Sequence, residues 1–163
     1  MFGITIKTNI TEDGNIELTI DDGIDLKRIE RDKKGISTID IVNDYCVIDI
    51  ETTGLSMYTE KITEFGIIKV KNGERIAEFE CFVNPEKDIP PRVVEVTHIT
   101  NDMVKDAETI DQVMPKVLEF IKDTVIVAHN GVFDVGFMKY NADQLGLEFN
   151  PTYRSEEHTS ELQ

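Results

Sequence analysis

Near the start of the chain, the stretches ITIKTNI and NIELTI alternate apolar and polar residues on either side of Asp13-Gly14. Period-two alternation around such a dipeptide predicts a β-hairpin. The charged stretch DLKRIERDKKG that follows has no comparable apolar period and reads as a linker ended by Gly35. From Tyr45 the texture changes. YCVIDIE is apolar at neighbouring positions, which predicts a strand buried on both faces in the middle of a sheet. ITEFGIIKV and ERIAEFECFVN flank Asn72-Gly73 and predict a second hairpin. PPRVVEVTHIT predicts a short helix opened by proline. Thr109 and Gln112 have capping-box spacing, and Val113, Val117, Leu118 and Ile121 form one apolar stripe of a second helix. Pro115 inside that helix removes one backbone bond. TVIVAHN predicts another buried strand, and GVFDVGFMKYNADQLG a helix ending near Gly146. An antiparallel hairpin followed by alternating helices and strands implies a mixed α/β sheet flanked by helices.

Composition narrows the class. The chain has 163 residues, 40% of them hydrophobic, enough for one core. It contains no apolar run near the roughly 20 residues that span a bilayer, and MFGITIKTNITEDG lacks the basic start and apolar stretch of a signal peptide. The expectation is a cytoplasmic protein without membrane contact. Cys46 and Cys81 lie in apolar runs and read as buried free thiols. A formal net charge of -15 argues against a protein that coats long stretches of nucleic acid, which needs a basic surface. It leaves room for an enzyme that grips one chain end through metal ions.

The chemistry concentrates at Asp49 and Glu51. Two residues apart on a strand, their carboxylates share a face about 6 to 7 Å apart. Their repulsion is on the order of 2 kcal/mol at an effective dielectric near 20, so a compensating cation is expected. Oxygen ligands without histidine or cysteine at matching spacing point to magnesium or manganese rather than zinc. Such a triplet by itself is more often satisfied with Glu51 in solvent at the strand's end and Asp49 bonded to neighbouring backbone. The surrounding DIETTGL argues for more: Thr52, Thr53 and Gly54 offer backbone N–H groups, two hydroxyls and close approach, a cradle for a nucleotide. Asp134 falls in the first turn of the helix that follows Asn130, where a helix dipole favours a carboxylate.

DIETTGL and VAHNGVFDVGFM resemble the first two motifs of the DEDD superfamily, the proofreading 3'-5' exonucleases of the type found in bacterial DNA polymerase III. ITEFGIIKVKNG and VTHITNDMV resemble the family's connecting segments, and the likeness covers residues 45–153. It implies an RNase H-like fold and two Mg2+ or Mn2+ ions held by four carboxylates, of which Asp49, Glu51 and Asp134 would be three. It implies contact of Thr52, Thr53, Gly54, Leu55 and Phe133 with the terminal nucleotide, and approach of His129 and Asn130 to the substrate. Glu64 matches a frequent acid of the family, with either a site or a structural role, and His98 reads as structural. The implied partners are single-stranded or frayed 3' ends of DNA, with RNA as the alternative, and a DNA polymerase. A module that binds nucleic-acid ends without cutting them is the competing reading.

The family's general base and fourth carboxylate come from a third motif, HxxxxD. His158 does not supply it, because Gln163 stands where the acid belongs. RSEEHTSELQ can instead be written AGA TCG GAA GAG CAC ACG TCT GAA CTC CAG, which resembles a common short-read sequencing adapter base for base. Residues 154–163 are therefore read as a non-native tail. The expected organisation is an N-terminal extension at 1–43, a partial exonuclease domain at 44–153 that stops before its last strand and C-terminal helices, and the tail. A chain without the third motif is expected to be nearly inactive by itself.

Overall fold

A computed structural model describes residues 6–10, 16–20, 36–37 and 43–155. The chain divides into two compact units, Met1–Asp32 and Lys33–Gln163. In the first, β1 (Ile6–Ile10) and β2 (Ile16–Ile20) pair antiparallel with Ile10 opposite Ile16, as the alternation predicts. The turn at Asp13-Gly14, the linker at 25–35 and His158 lie outside the described residues.

The second unit is built on a six-stranded sheet of order β3-β8-β7-β4-β5-β6. Its strands are β3 (Ile36–Ser37), β4 (Tyr45–Thr52), β5 (Ile62–Lys71), β6 (Glu74–Phe82), β7 (Val125–Ala128) and β8 (Thr152–Ser155). β4 to β6 are antiparallel neighbours, whereas β7 joins β4 in parallel and β8 joins β7 in parallel. This is the expected mixed sheet. The hairpin between β5 and β6 turns at Asn72 (φ 53°) and Gly73 (φ 79°), two left-handed residues whose twist matches that of paired strands.

Among the described residues the unit also has four helices: α1 (Pro91–Thr97), α2 (Asn101–Val104), α3 (Ile110–Phe120) and α4 (Gly131–Gln144). The core joins Val113, Met114 and Val117 of α3 and Val135, Phe137 and Met138 of α4 to Cys46, Ile48 and Ile50 of β4. α3 runs through Pro115, and Gln112 Oε1 accepts a bond from the Thr109 N–H at 3.1 Å. Thr109→Ala is expected to cost about 1 kcal/mol, measurable by urea denaturation; an unchanged midpoint would show that the box contributes nothing.

Three expectations are corrected. β4 is central in strand order but is not buried on both faces. Cys46, Ile48 and Ile50 are buried, while Val47 is 38% exposed and Asp49 is exposed; α3 and α4 cover the first set. Secondly, Ile36 and Ser37, assigned to the N-terminal extension, pair with Thr152 and Tyr153 inside the second unit's sheet. Thirdly, the sheet does not stop before a last strand. Thr152–Ser155 lies parallel to β7 and crosses the position where the native chain is read to end. Four residues are too few for periodicity to reveal, and strand pairing uses backbone groups that Arg154 and Ser155 supply as well as any residues. Tyr153 is buried, its ring so close to Gly131 that a Cβ there would lie 2.9 Å from it.

Candidate active site

β4 carries Asp49 and Glu51 on the sheet face opposite Ile48 and Ile50, as strand alternation requires. Glu51 stands opposite Glu64 on β5, and the next pairing is Thr52 with Ile62. Thr63 is therefore the extra residue of a bulge, its hydroxyl buried without a hydrogen-bond partner among the described residues. Bulges bend the strand that carries the extra residue, and this one lies on β5 directly opposite the end of β4, where Glu51 gives way to Thr52.

Asp134 reaches the same place from α4. It is 4% exposed, and its Oδ1 accepts a bond from the Ile50 N–H at 3.2 Å. Burial pushes its carboxyl up to about 6, with the charge of Asp49 adding and that of Glu51 adding less; backbone N–H bonds oppose them. Burial thus outweighs the favourable helix terminus. Glu51 is raised by burial, then by Asp49 and Glu64, and Glu64 by burial, then by Glu80 and Asp49. Asp49, Glu51, Glu64 and Asp134 form one electrostatic neighbourhood. Among the described residues, none of the ion pairs includes any of them.

The chemistry of this donor set fits a hard divalent cation, since every side chain offers only carboxylate oxygen and, after burial, the neighbouring carboxylates add to each upward shift. No group of three or more acidic, histidine or cysteine side chains among the described residues stands close enough to make a ready metal cage.

Beside the carboxylates runs a groove of about 750 Å³. Glu51, Thr52, Thr53, Gly54, Leu55 and Phe133 line one side, and Arg92, Val93, Val96 and Thr97 of α1 the other. A small cluster of Ile89, Ile99 and Val104 with Val93 and Val94 holds α1 in place. Leu55 is 88% exposed at the rim. The two cradle hydroxyls are engaged within the chain: Thr52 Oγ1 donates to the Gly54 carbonyl at 2.7 Å, and Thr53 Oγ1 donates to Glu60 Oε2 at 2.7 Å. Backbone and shape are what the turn leaves for a ligand.

His129 and Asn130 are exposed just before α4 and are not among the groove-lining residues. Asn130 occupies the helix N-cap without a side-chain capping bond. His98 sits at the C-cap of α1 with φ 61°, consistent with its structural reading. Glu60, Lys87 and the α1 residues were not singled out by sequence. The helix itself was legible, but nothing local indicates which of its faces meets a groove.

The exonuclease family of the RNase T type matches residues 46–156, more than half of the chain. DNA polymerase III PolC-type of Clostridium perfringens (strain 13 / Type A) is 48% identical over 104 residues, 64% of this chain and 7% of that protein. The PolC-type enzyme of Caldanaerobacter subterraneus subsp. tengcongensis is 44% identical over 133 residues, 82% of this chain and 9% of that protein. The chain thus spans a tenth or less of these curated relatives. Two solved structures share the fold. The nuclease domain of 3'hExo, a DEDDh family member, has a TM-score of 0.56 at 21% identity, covering 68% of this chain and 64% of that one. Exonuclease I has a TM-score of 0.65 at 14% identity, covering 74% and 30%. DEDDh exonucleases generally use divalent metal ions. Among the described residues no helix is long and apolar enough to cross a membrane. With the family match spanning both carboxylate motifs and the sheet that carries them, the chain belongs to the exonuclease family.

Proposed function

We propose that the parent protein removes nucleotides from 3' ends of DNA, releasing nucleoside monophosphates, and does so in the cytoplasm as part of a DNA polymerase. The observation that carries this reading is the meeting of Asp49 and Glu51 with Asp134, 85 positions further along, beside the Thr52-Thr53-Gly54 turn. Asp49, Glu51 and Asp134 would hold two Mg2+ or Mn2+ ions. Bound divalent ions supply charge neutralisation at a phosphodiester and make water a better nucleophile near neutral pH. The chain's own residues do the rest of the positioning. Asp134 is held in place by the Ile50 N–H, and the turn would offer backbone N–H groups to sugar and phosphate. Leu55 and Phe133 give the terminal base apolar surface. The proton acceptor and fourth carboxylate are assigned to sequence beyond Tyr153. DNA is preferred over RNA because the PolC-type relatives are named as DNA polymerases.

The test is to restore the native sequence after codon 153 and incubate the protein with single-stranded DNA and Mg2+ or Mn2+. Stepwise shortening from the 3' end with monophosphate products is expected. Binding of 3' ends without cleavage, in a protein carrying HxxxxD, would replace the enzyme with an end-binding module.

A further inference from the structure

One ion pair ties the two walls of the groove together. Glu60 lies on the loop that leads from the Thr52-Thr53-Gly54 turn into β5, and Lys87 on the segment that leads from β6 to α1. Lys87 Nζ stands 2.9 Å from Glu60 Oε2 and also donates to the Thr59 carbonyl at 3.3 Å. The same Glu60 oxygen accepts the Thr53 hydroxyl at 2.7 Å. The Thr53 hydroxyl in turn accepts the Lys61 N–H at 2.9 Å, and the Thr53 N–H donates to the Lys61 carbonyl at 2.8 Å. A continuous chain of bonds therefore runs from Lys87 through Glu60 to Thr53, next to Glu51 and the carboxylate cluster. The packing is tight as well as bonded: a Cβ on Gly54 would lie 2.9 Å from Glu60 Cγ. The hydrogen bond from Thr53, followed by that from Lys87, holds the Glu60 carboxyl below its ordinary range, so Glu60 is ionised at neutral pH.

Stability alone does not account for this arrangement. The side chains of Lys87 and Glu60 are 36% and 23% exposed, and pairs this open to water contribute little to folding. What the pair does fix is geometry. Among the described residues, Lys87 Nζ is bonded to both Thr59 and Glu60, so the segment leading into α1 is tied to the loop that follows the turn.

We propose that Glu60 and Lys87 are positioning residues, a clamp that sets the width of the groove and the seat of the Thr52-Thr53-Gly54 turn, and through them the placement of the 3'-terminal nucleotide. This rests on the exonuclease reading. Neither residue touches the reacting phosphate; both act through Thr53 and α1. A clamp that serves the bound nucleotide equally before and during cleavage acts on KM and leaves kcat nearly alone.

The experiment uses the full-length parent protein, with kcat and KM measured for 3'-terminal hydrolysis of a single-stranded oligodeoxynucleotide in Mg2+. Glu60→Ala, which loses the bonds from Thr53, Lys87 and Thr59, is expected to raise KM about tenfold, the scale of the charge-assisted bond from Lys87. Lys87→Met, which keeps the bond from Thr53 to Glu60, should raise KM about threefold, and Lys87→Arg should restore it. For all three, kcat stays within about twofold; melting temperature is nearly unchanged in the two Lys87 variants and falls in Glu60→Ala, which leaves the buried Thr53 hydroxyl without its acceptor. A purely structural role would lower melting temperature and the active fraction while leaving KM alone, and that result overturns the clamp. Should Glu60→Ala fail to fold, Lys87→Met and Lys87→Arg decide. If KM is unmoved in these variants while Asp49→Ala is dead, the clamp falls and the exonuclease reading stands. If Asp49→Ala cleaves as well as the unaltered protein, the site reading falls and takes the clamp with it.

Discussion

Asp49→Ala in the full-length parent protein is expected to lower the rate of 3'-terminal hydrolysis by about 10³-fold or more, with little loss of stability. The magnitude follows from the role proposed for it. A metal clamp at a phosphodiester contributes several kcal/mol of transition-state stabilisation, and each 1.36 kcal/mol is a factor of ten. The intact fold follows from position: Asp49 is exposed, on the face of β4 that α3 and α4 leave open. Its removal also takes away the charge that raises Asp134 and Glu51, so the metal-free protein is expected to be slightly more stable. Circular dichroism and a gel assay on a 5'-labelled oligonucleotide measure both quantities. Surviving activity would mean that the nuclease centre lies elsewhere or that another enzyme is present.

Asp134→Asn should raise stability too, and by a larger amount. The carboxyl is 4% exposed and raised from 3.8 to about 6. For an acid raised on folding, the native state binds the proton more tightly than the unfolded chain does. Its favourable contribution is complete below about 3.8 and is lost as pH rises through 6. At neutral pH the ionised group is therefore a burden, on the order of 3 kcal/mol at about 1.4 kcal/mol per pKa unit. Asparagine keeps an oxygen for the Ile50 N–H and removes the charge. The variant is expected to melt higher than the unaltered chain at neutral pH, with the advantage shrinking as pH falls from 6 to 4. Divalent ions should reverse the order: Mn2+ or Mg2+ raises the melting temperature of the unaltered chain by binding only the native state, and much less that of Asp134→Asn. A variant that is less stable at neutral pH without metal would show that the carboxylate is compensated by something other than a cation.

Gain on removal of a charge is a common signature of a site built for a ligand rather than for the empty protein. Asp134 feels the charges of Asp49 and Glu51, and Glu64 that of Asp49, so these carboxylates are mutually unfavourable without a compensating charge, as the proposed cation site requires.

How much of this is legible from the residues alone depends on the range of the forces involved. The turn at Asn72-Gly73, the proline opening of α1, the capping box at Thr109 and Gln112 and the first turn of α4 are decided by atoms a few residues apart. The same holds for the shared face of Asp49 and Glu51, which strand alternation alone dictates. Family motifs added Asp134 to the set, by resemblance rather than by geometry. What sequence could not indicate is where separate segments meet. β4 reads as fully buried because its composition is apolar at neighbouring positions, yet burial depends on what covers each face, and only one face is covered by the described helices. β8 is too short to carry a period, and its pairing with β7 rests on backbone bonds that any residues can make.

The groove is the clearest case of a tertiary decision. Lys87 and Glu60 are ordinary charged residues in an acidic chain, 27 positions apart, and nothing in their neighbours marks them. The bulge at Thr63, the packing of α1 on Ile89, Ile99 and Val104, and the approach of Gly54 bring them together. Which side chains are able to do chemistry, and which short elements carry them, could be read along the chain because those are local properties. Which of those side chains share one volume, how far burial shifts them, and which unremarkable charges hold the walls around them came only with the folded chain, because each depends on contacts between residues far apart in sequence.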